Sequence, residues 1–125
     1  MGLNPELFGP YFWGTLHLAC LGAKDLDKLR EFVNLYKYVM PCGSCCTHFA
    51  EVLDELPFPE SSEPLVLFGW SVDVHNIVNR RLGKPELSIE QALRIWTEPK
   101  KDYMIFYTWA LFILALTVIF LILTK

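Results

Sequence analysis

The sequence predicts an all-α protein: a compact four-helix bundle with a short fifth helix, followed by a C-terminal transmembrane helix. Three observations predict it. Apolar residues recur at spacings of three and four, as on one face of a helix. No segment alternates apolar and polar residues as a half-buried strand would. Residues 104–123, MIFYTWALFILALTVIFLIL, carry no charge at all. A helix of that length covers about 30 Å, the thickness of a bilayer's hydrocarbon core.

The elements follow in order. A first helix is expected from Gly9-Pro10, since proline tolerates the first helical position, to Gly22. A second starts near Asp25; its stripe is Leu29, Phe32, Val33, Tyr36, Val39 and Met40, and Pro41 breaks it. A third runs from Cys42 to about Leu56, with Phe49, Val52, Leu53 and Leu56 on one face. The proline- and serine-rich stretch 57–64 reads as a loop. A fourth helix covers about Leu65 to Leu82 and stops at Gly83. Ser88 and Gln91 form a capping box for a fifth, whose face is Ile89, Ala92, Leu93 and Trp96.

The chain of 125 residues has formal charge −3, and hydrophobic residues make up 53% of it. That length excludes a multi-domain enzyme. The acidic excess lies before the apolar tail and argues against nucleic acid as a partner. A charged fraction of 20% and an aromatic fraction of 14% exclude a disordered chain. Trp109, Tyr107, Lys100 and Lys101 flank or enter the tail as interface anchors. Only Thr124 and Lys125 follow it, and the N-terminus lacks a secretory leader, so the expected topology is a tail anchor with the rest facing the cytosol. The expected division is 1–99 as the folded domain, 100–103 as a basic juxtamembrane linker and 104–123 as the span.

Four cysteines are present: Cys20, Cys42, Cys45 and Cys46. Cys42-Gly43-Ser44-Cys45 is a C-x-x-C placed by Pro41 at a helix start, where free N–H groups and the helix dipole favour a thiolate. Residues three apart share a face, so the two sulfurs can bond. Three other readings stand beside a redox dithiol. Cys42, Cys45, His48 and His75 are of the right types for a zinc site. A thioredoxin-like protein would need βαβ units, which the pattern does not offer. An inert thiol pair is the third, and the C-x-x-C alone does not decide among them.

A second constellation lies on the fourth helix. His75, Asn76 and Asn79 fall on one face of a helix that otherwise carries Phe68, Trp70, Val74 and Val78. Asparagine is a mediocre helix former, so a polar ligand explains the pair better than solvent does. Trp13 and His17 make another pair spaced by four, and with His75 and Trp96 they offer flat surfaces for a flat cofactor.

These segments resemble the Erv/ALR family of FAD-linked sulfhydryl oxidases. GPYFWGTLH (9–17) is similar to its G-x-x-x-W-x-x-L-H segment, and PCGSCCTHF (41–49) to its P-C-x-x-C-x-x-H-F active site. WSVDVHNIVNRRLGK (70–84) is similar to its W-x(4)-H-N-x-V-N-x-x-L-G-K segment, and Trp96 falls at the family's flavin tryptophan. The resemblance covers about residues 8–97. It implies a helical bundle that binds FAD and pairs as a homodimer. Cys45 would be the sulfur next to the flavin and Cys42 the one attacked by incoming thiols. Gly9, Trp13, His17, His75, Asn76, Val78, Asn79, Lys84 and Trp96 would line the FAD, with His75 and Asn79 at the adenine end. No residue is assigned to a metal.

The implied activity is oxidation of protein dithiols, with electrons passed to molecular oxygen to give hydrogen peroxide. The sequence departs from the family in two ways. Pro85-Glu86-Leu87-Ser88 lacks the further structural cysteine, and the chain has no shuttle C-x-x-C. Electrons would then come directly from a partner, a small thioredoxin-like or C-x-x-C protein. Cys20 and Cys46 match nothing. Small size and a tail anchor look like the members carried by large cytoplasmic DNA viruses, which suggests a virion or viral-factory membrane. The alternative function is a tail-anchored zinc-binding adaptor without redox activity.

Overall fold

Local capping decides where each helix begins. The structure, a computed structural model, describes residues 2–98 and 103–124. Helix α1 spans Pro5–Gly22, starting earlier than the sequence reading expected. Asn4 is its N-cap and accepts the Glu6 N–H at 3.0 Å, so Pro5 rather than Pro10 takes the first turn. Pro10 lies inside the helix, where it forgoes one bond close to the exposed end. Helix α2, Leu26–Val39, is capped by Asp25 through the Lys28 N–H at 3.0 Å. Helix α3 is Gly43–Glu55, with Cys42 as its cap.

Helix α4 spans Pro64–Arg81. It ends at Gly83, whose φ of +65° is a left-handed conformation that glycine adopts at little cost. There the Lys84 N–H reaches back to the Asn79 carbonyl at 2.8 Å. Helix α5, Ile89–Thr97, opens with the expected Ser88–Gln91 capping box. The described residues are all helix, turn or loop.

α1 lies along α4, α2 along α3, and α3 also meets α4; α5 closes against α1 and α4. The shared core holds Leu16, Val33, Phe49, Val52 and Val74. Full burial of such a side chain is worth about 1.5–3 kcal/mol. A smaller core of Phe68, Val72 and Ala92 fixes α5 on α4, with Trp96 packed at its edge. Helix α6, Tyr103–Leu123, is apolar along its length, and its side chains from Ile105 onward are exposed. Its stretch Ile105–Leu123 is long and apolar enough to cross a membrane. The expected basic linker, except for Tyr103, lies outside the described residues.

Candidate active site

Two features lie side by side, one at the start of α3 and one between the middles of α1 and α4. The first is the C-x-x-C turn. Cys42 and Cys45 form a disulfide, with Cα atoms 5.2 Å apart. As N-cap of α3, Cys42 accepts the Cys45 N–H on its sulfur at 3.2 Å. Ser44 Oγ stands 3.3 Å from the same sulfur. The cap, the free N–H groups of the first turn and the hydroxyl all stabilise negative charge on Cys42 when the bond opens. Both cysteines are half-buried, so the bond can be reached from solvent. The chain start runs past this turn: Gly2 packs on Cys42, and the Leu3 N–H donates to the Pro41 carbonyl at 2.9 Å. The sequence held no signal for that contact.

The second feature is a pile of flat rings. Trp13 of α1 stacks on His75 of α4, with centroids 3.9 Å apart and planes within 7°. His17, one turn after Trp13, is 1% exposed. Its Nδ1 lies 2.8 Å from Ser71 Oγ and its Nε2 lies 3.1 Å from His75 Nδ1. Burial, and then the neighbouring imidazole, holds His17 down to about 4. Burial, and then the Lys84 charge, holds His75 down to about 4 as well. Both rings are therefore neutral at pH 7. Trp96 of α5 stands 5.5 Å from His17. It rests on Gly14, where a Cβ would come within 2.5 Å of the indole. Phe49 joins the two features: it lies one turn beyond Cys45 and meets Trp13 edge-on at 6.1 Å.

The remaining expected residues fall at different distances from this pile. Asn79 is 8% exposed, and its amide makes no hydrogen bond among the described residues. No buried side-chain nitrogen or oxygen is left without a partner among the described residues, so the Asn79 amide stands at an accessible edge of α4, where it can meet a polar ligand. Asn76 has a partner that the sequence did not suggest. Its amide donates to the Leu87 carbonyl at 2.8 Å and accepts the Leu87 N–H at 3.0 Å, clamping the α4–α5 connection. Val78 is partly buried against the main core. Lys84 is exposed and close enough for its charge to act on His75. Gly9 has nothing within 4 Å of where a Cβ would stand, so no contact inside the chain requires glycine there.

Of the four zinc candidates, two sulfurs are spent on the disulfide and His75 is bound to His17 and stacked on Trp13. His48 is exposed. The two unmatched cysteines are not bridged. Cys20 is buried, and burial pushes its thiol up to about 12 against the opposite pull of a hydrogen bond with Ser71. Cys46 is half-buried and points its thiol to the Met40 carbonyl at 3.5 Å. Two residues the sequence reading passed over prove central to the geometry, Ser71 and Gly14. The only signal for Ser71 was its place one turn before His75.

The sequence model of the Erv1 / Alr family matches residues 10–97. This chain belongs to the Erv1 / Alr family. A mimivirus protein (Acanthamoeba polyphaga mimivirus) named "Probable FAD-linked sulfhydryl oxidase" is 38% identical over 101 residues, covering 73% of this chain and 69% of its own length. The rice (Oryza sativa subsp. japonica) FAD-linked sulfhydryl oxidase ERV1 is 36% identical over 100 residues, covering 75% of this chain and 51% of its own. A crystal structure of a mutant of Erv1 from Saccharomyces cerevisiae superposes with a TM-score of 0.68 at 20% identity, over 81% of this chain and 90% of that one. The Erv1 / Alr fold is thus the fold of residues outside α6, with the C-x-x-C at the start of α3 and the ring pile between α1 and α4.

The donor set fits a flavin dinucleotide. Stacked Trp13 and His75 offer a flat face, Asn79 offers an amide with no partner among the described residues, and Lys84 offers a cation for a phosphate or ribose.

Proposed function

We propose that this chain is a FAD-linked thiol oxidase, an enzyme that joins pairs of protein thiols into disulfides. One observation carries the reading: a helix-capping disulfide, Cys42–Cys45, shares a small bundle with a pile of flat rings in which Trp13 stacks on His75.

Cys42 is the entry sulfur. A substrate thiolate attacks it, a new sulfur–sulfur bond forms, and the Cys42–Cys45 bond breaks with Cys45 leaving as thiolate. The substrate's second thiolate then attacks its own bonded sulfur and releases Cys42. The substrate leaves oxidised, and the enzyme pair holds the two electrons as thiols. The N-cap position and Ser44 steady the charge that Cys42 takes as leaving group in the second exchange. Bound FAD supplies a two-electron acceptor that discharges to molecular oxygen, giving hydrogen peroxide. Cys45 would be the sulfur that hands it the electrons. Trp13, His17, His75, Asn76, Val78, Asn79, Lys84, Trp96 and the backbone at Gly9 would hold it. Burial of His17 excludes water from its side of the ring pile.

The substrate is a protein dithiol, most simply a small thioredoxin-like or C-x-x-C protein that meets Cys42 directly. Residues 1–99 form the oxidase unit, acting as a homodimer. Residues 100–103 link it to a membrane span at 104–123, with the oxidase on the cytosolic side. The apolar α6 supports the anchor, and the mimivirus relative supports a viral membrane as the site.

The full chain, purified in mild detergent, tests the reading. Flavin absorption near roughly 450 nm, oxygen uptake with dithiol and peroxide release are expected. A colourless protein carrying stoichiometric zinc would mean the adaptor reading is right.

A further inference from the structure

A proton register runs through the ring pile, and Ser71 sets it. Ser71 Oγ lies 2.7 Å from the Phe68 carbonyl oxygen. Two oxygens at that distance need a hydrogen between them, and a carbonyl has none to give. The single Ser71 proton therefore points at Phe68. Toward His17 the same hydroxyl can only accept, so the nitrogen 2.8 Å away, His17 Nδ1, carries the imidazole proton. A neutral imidazole has one N–H, which leaves His17 Nε2 bare. That bare nitrogen lies 3.1 Å from His75 Nδ1, which must then be protonated. The register ends at His75 Nε2, a bare nitrogen.

The neutrality this argument needs follows from surroundings. His17 is enclosed by Ser71, Phe68, Trp13 and Trp96, and His75 lies under Trp13 with the Lys84 charge nearby. Every polar end of the chain from Phe68 to His75 Nδ1 is paired. His75 Nε2 alone has no hydrogen-bond partner among the described residues, and His75 is only half-buried.

We infer that Ser71 is a positioning residue: by fixing the protons on Nδ1 of His17 and of His75, it makes His75 Nε2 a hydrogen-bond acceptor for the amino edge of adenine. The inference rests on the reading of the chain as a FAD-linked enzyme. It makes His75 a discriminator. A dinucleotide with an amino group on its purine can donate to the bare nitrogen, and one with an oxo group at that carbon cannot.

The test uses the full chain in detergent, labelled with nitrogen-15 at histidine. Two-bond proton–nitrogen spectra of the FAD-loaded protein report which ring nitrogen of His17 and His75 is protonated. Both are expected on Nδ1, and protonation of His75 on Nε2 overturns the inference. FAD is expected to bind about tenfold more tightly than flavin hypoxanthine dinucleotide, the cost of one unmatched hydrogen bond. Equal binding of the two also overturns it.

Ser71→Ala removes the acceptor for His17 Nδ1–H. It is expected to give mixed tautomers at His75 and to shrink the tenfold preference to about twofold. Val52→Ala truncates an equally buried side chain that makes no hydrogen bond, and should leave tautomers and preference unchanged. If Ser71→Ala does not fold, the spectra and the two-ligand comparison on the unmodified chain still decide. A protein that spectrally retains no flavin overturns the oxidase reading, and the adenine half of this inference with it. His75 on Nε2 in a yellow protein overturns the inference alone.

Discussion

At Cys42 the chain is open. The sulfur caps a helix, a serine hydroxyl lies beside it, and the backbone at Gly2 and Leu3 passes over. At His17 the chain is shut. The ring is 1% exposed, both nitrogens are paired, and aromatic rings close it on several sides. The contrast matches two physical tasks. Thiol exchange needs an accessible, polarised sulfur and tolerates movement. Holding a flat cofactor needs surfaces whose positions and protons are fixed before the ligand arrives. Phe49 touches Trp13 of the shut region from one turn beyond the open disulfide, so the two are mechanically joined.

The largest effect is expected where the regions differ most in function. Cys42→Ser removes the entry sulfur and leaves the ring pile untouched. Turnover with a protein dithiol should fall by at least about 10³-fold, since the nucleophilic route is gone. Flavin content should stay at the unmodified level. Oxygen consumption at the full rate, or loss of flavin, would show that the two regions are not separable in this way.

Acid should act on the shut region first. His17 and His75 are held down to about 4 in the folded chain, below the ordinary value of about 6.5. Between those values the unfolded chain binds more protons than the folded one. The stabilising difference is therefore complete above the upper value and is lost as pH falls toward 4. Denaturation followed from pH 7 to pH 4 should show this slope, with flavin release in the same window. Cys42→Ser should show the same profile. A flat profile would mean that the histidines are charged or solvated.

The parts of this molecule that could be read in advance are those whose cause is local. Asp25, the Ser88–Gln91 box and Gly83 each mark a helix end through atoms within a few residues, and all three hold. The C-x-x-C was legible because i,i+3 spacing at a helix start brings two sulfurs together whatever surrounds them. The start of α1 was misjudged because Pro5 and Pro10 give the same local signal, and the Asn4 cap chooses between them. Ser71 matters only through a histidine 54 residues earlier, and Gly14 only through Trp96 on another helix. Those relations are tertiary. Asn76 was grouped with Asn79 by spacing, yet its partner lies in the connection at Leu87.

Gly14→Ala sharpens the comparison further. The added methyl would meet the Trp96 indole at 2.5 Å, so α5 must shift. Overpacking of this kind costs about 1–3 kcal/mol. A lowered melting temperature and weakened flavin retention are expected, with the disulfide's reactivity toward small thiols unchanged in the flavin-free protein. Undiminished stability would mean that Trp96 moves freely, and that this side of the ring pile is not shut.

The smallest effect separates two neighbours on one helix face. Asn76 and Asn79 are both nearly buried, but only Asn76 spends its amide inside the chain. Asn76→Ala breaks two hydrogen bonds to Leu87 and should lower stability by about 1–3 kcal/mol, with or without flavin. Asn79→Ala removes an amide that has no partner among the described residues, so flavin-free stability should change by less than about 1 kcal/mol. Its cost should appear on binding, as FAD affinity weakened about tenfold. Thermal melts of both variants, each with and without added FAD, read the two effects separately. If Asn79→Ala leaves flavin content unchanged, the unpaired amide is not a cofactor contact. The ligand-facing edge of the ring pile must then be drawn elsewhere, around His75 and Lys84.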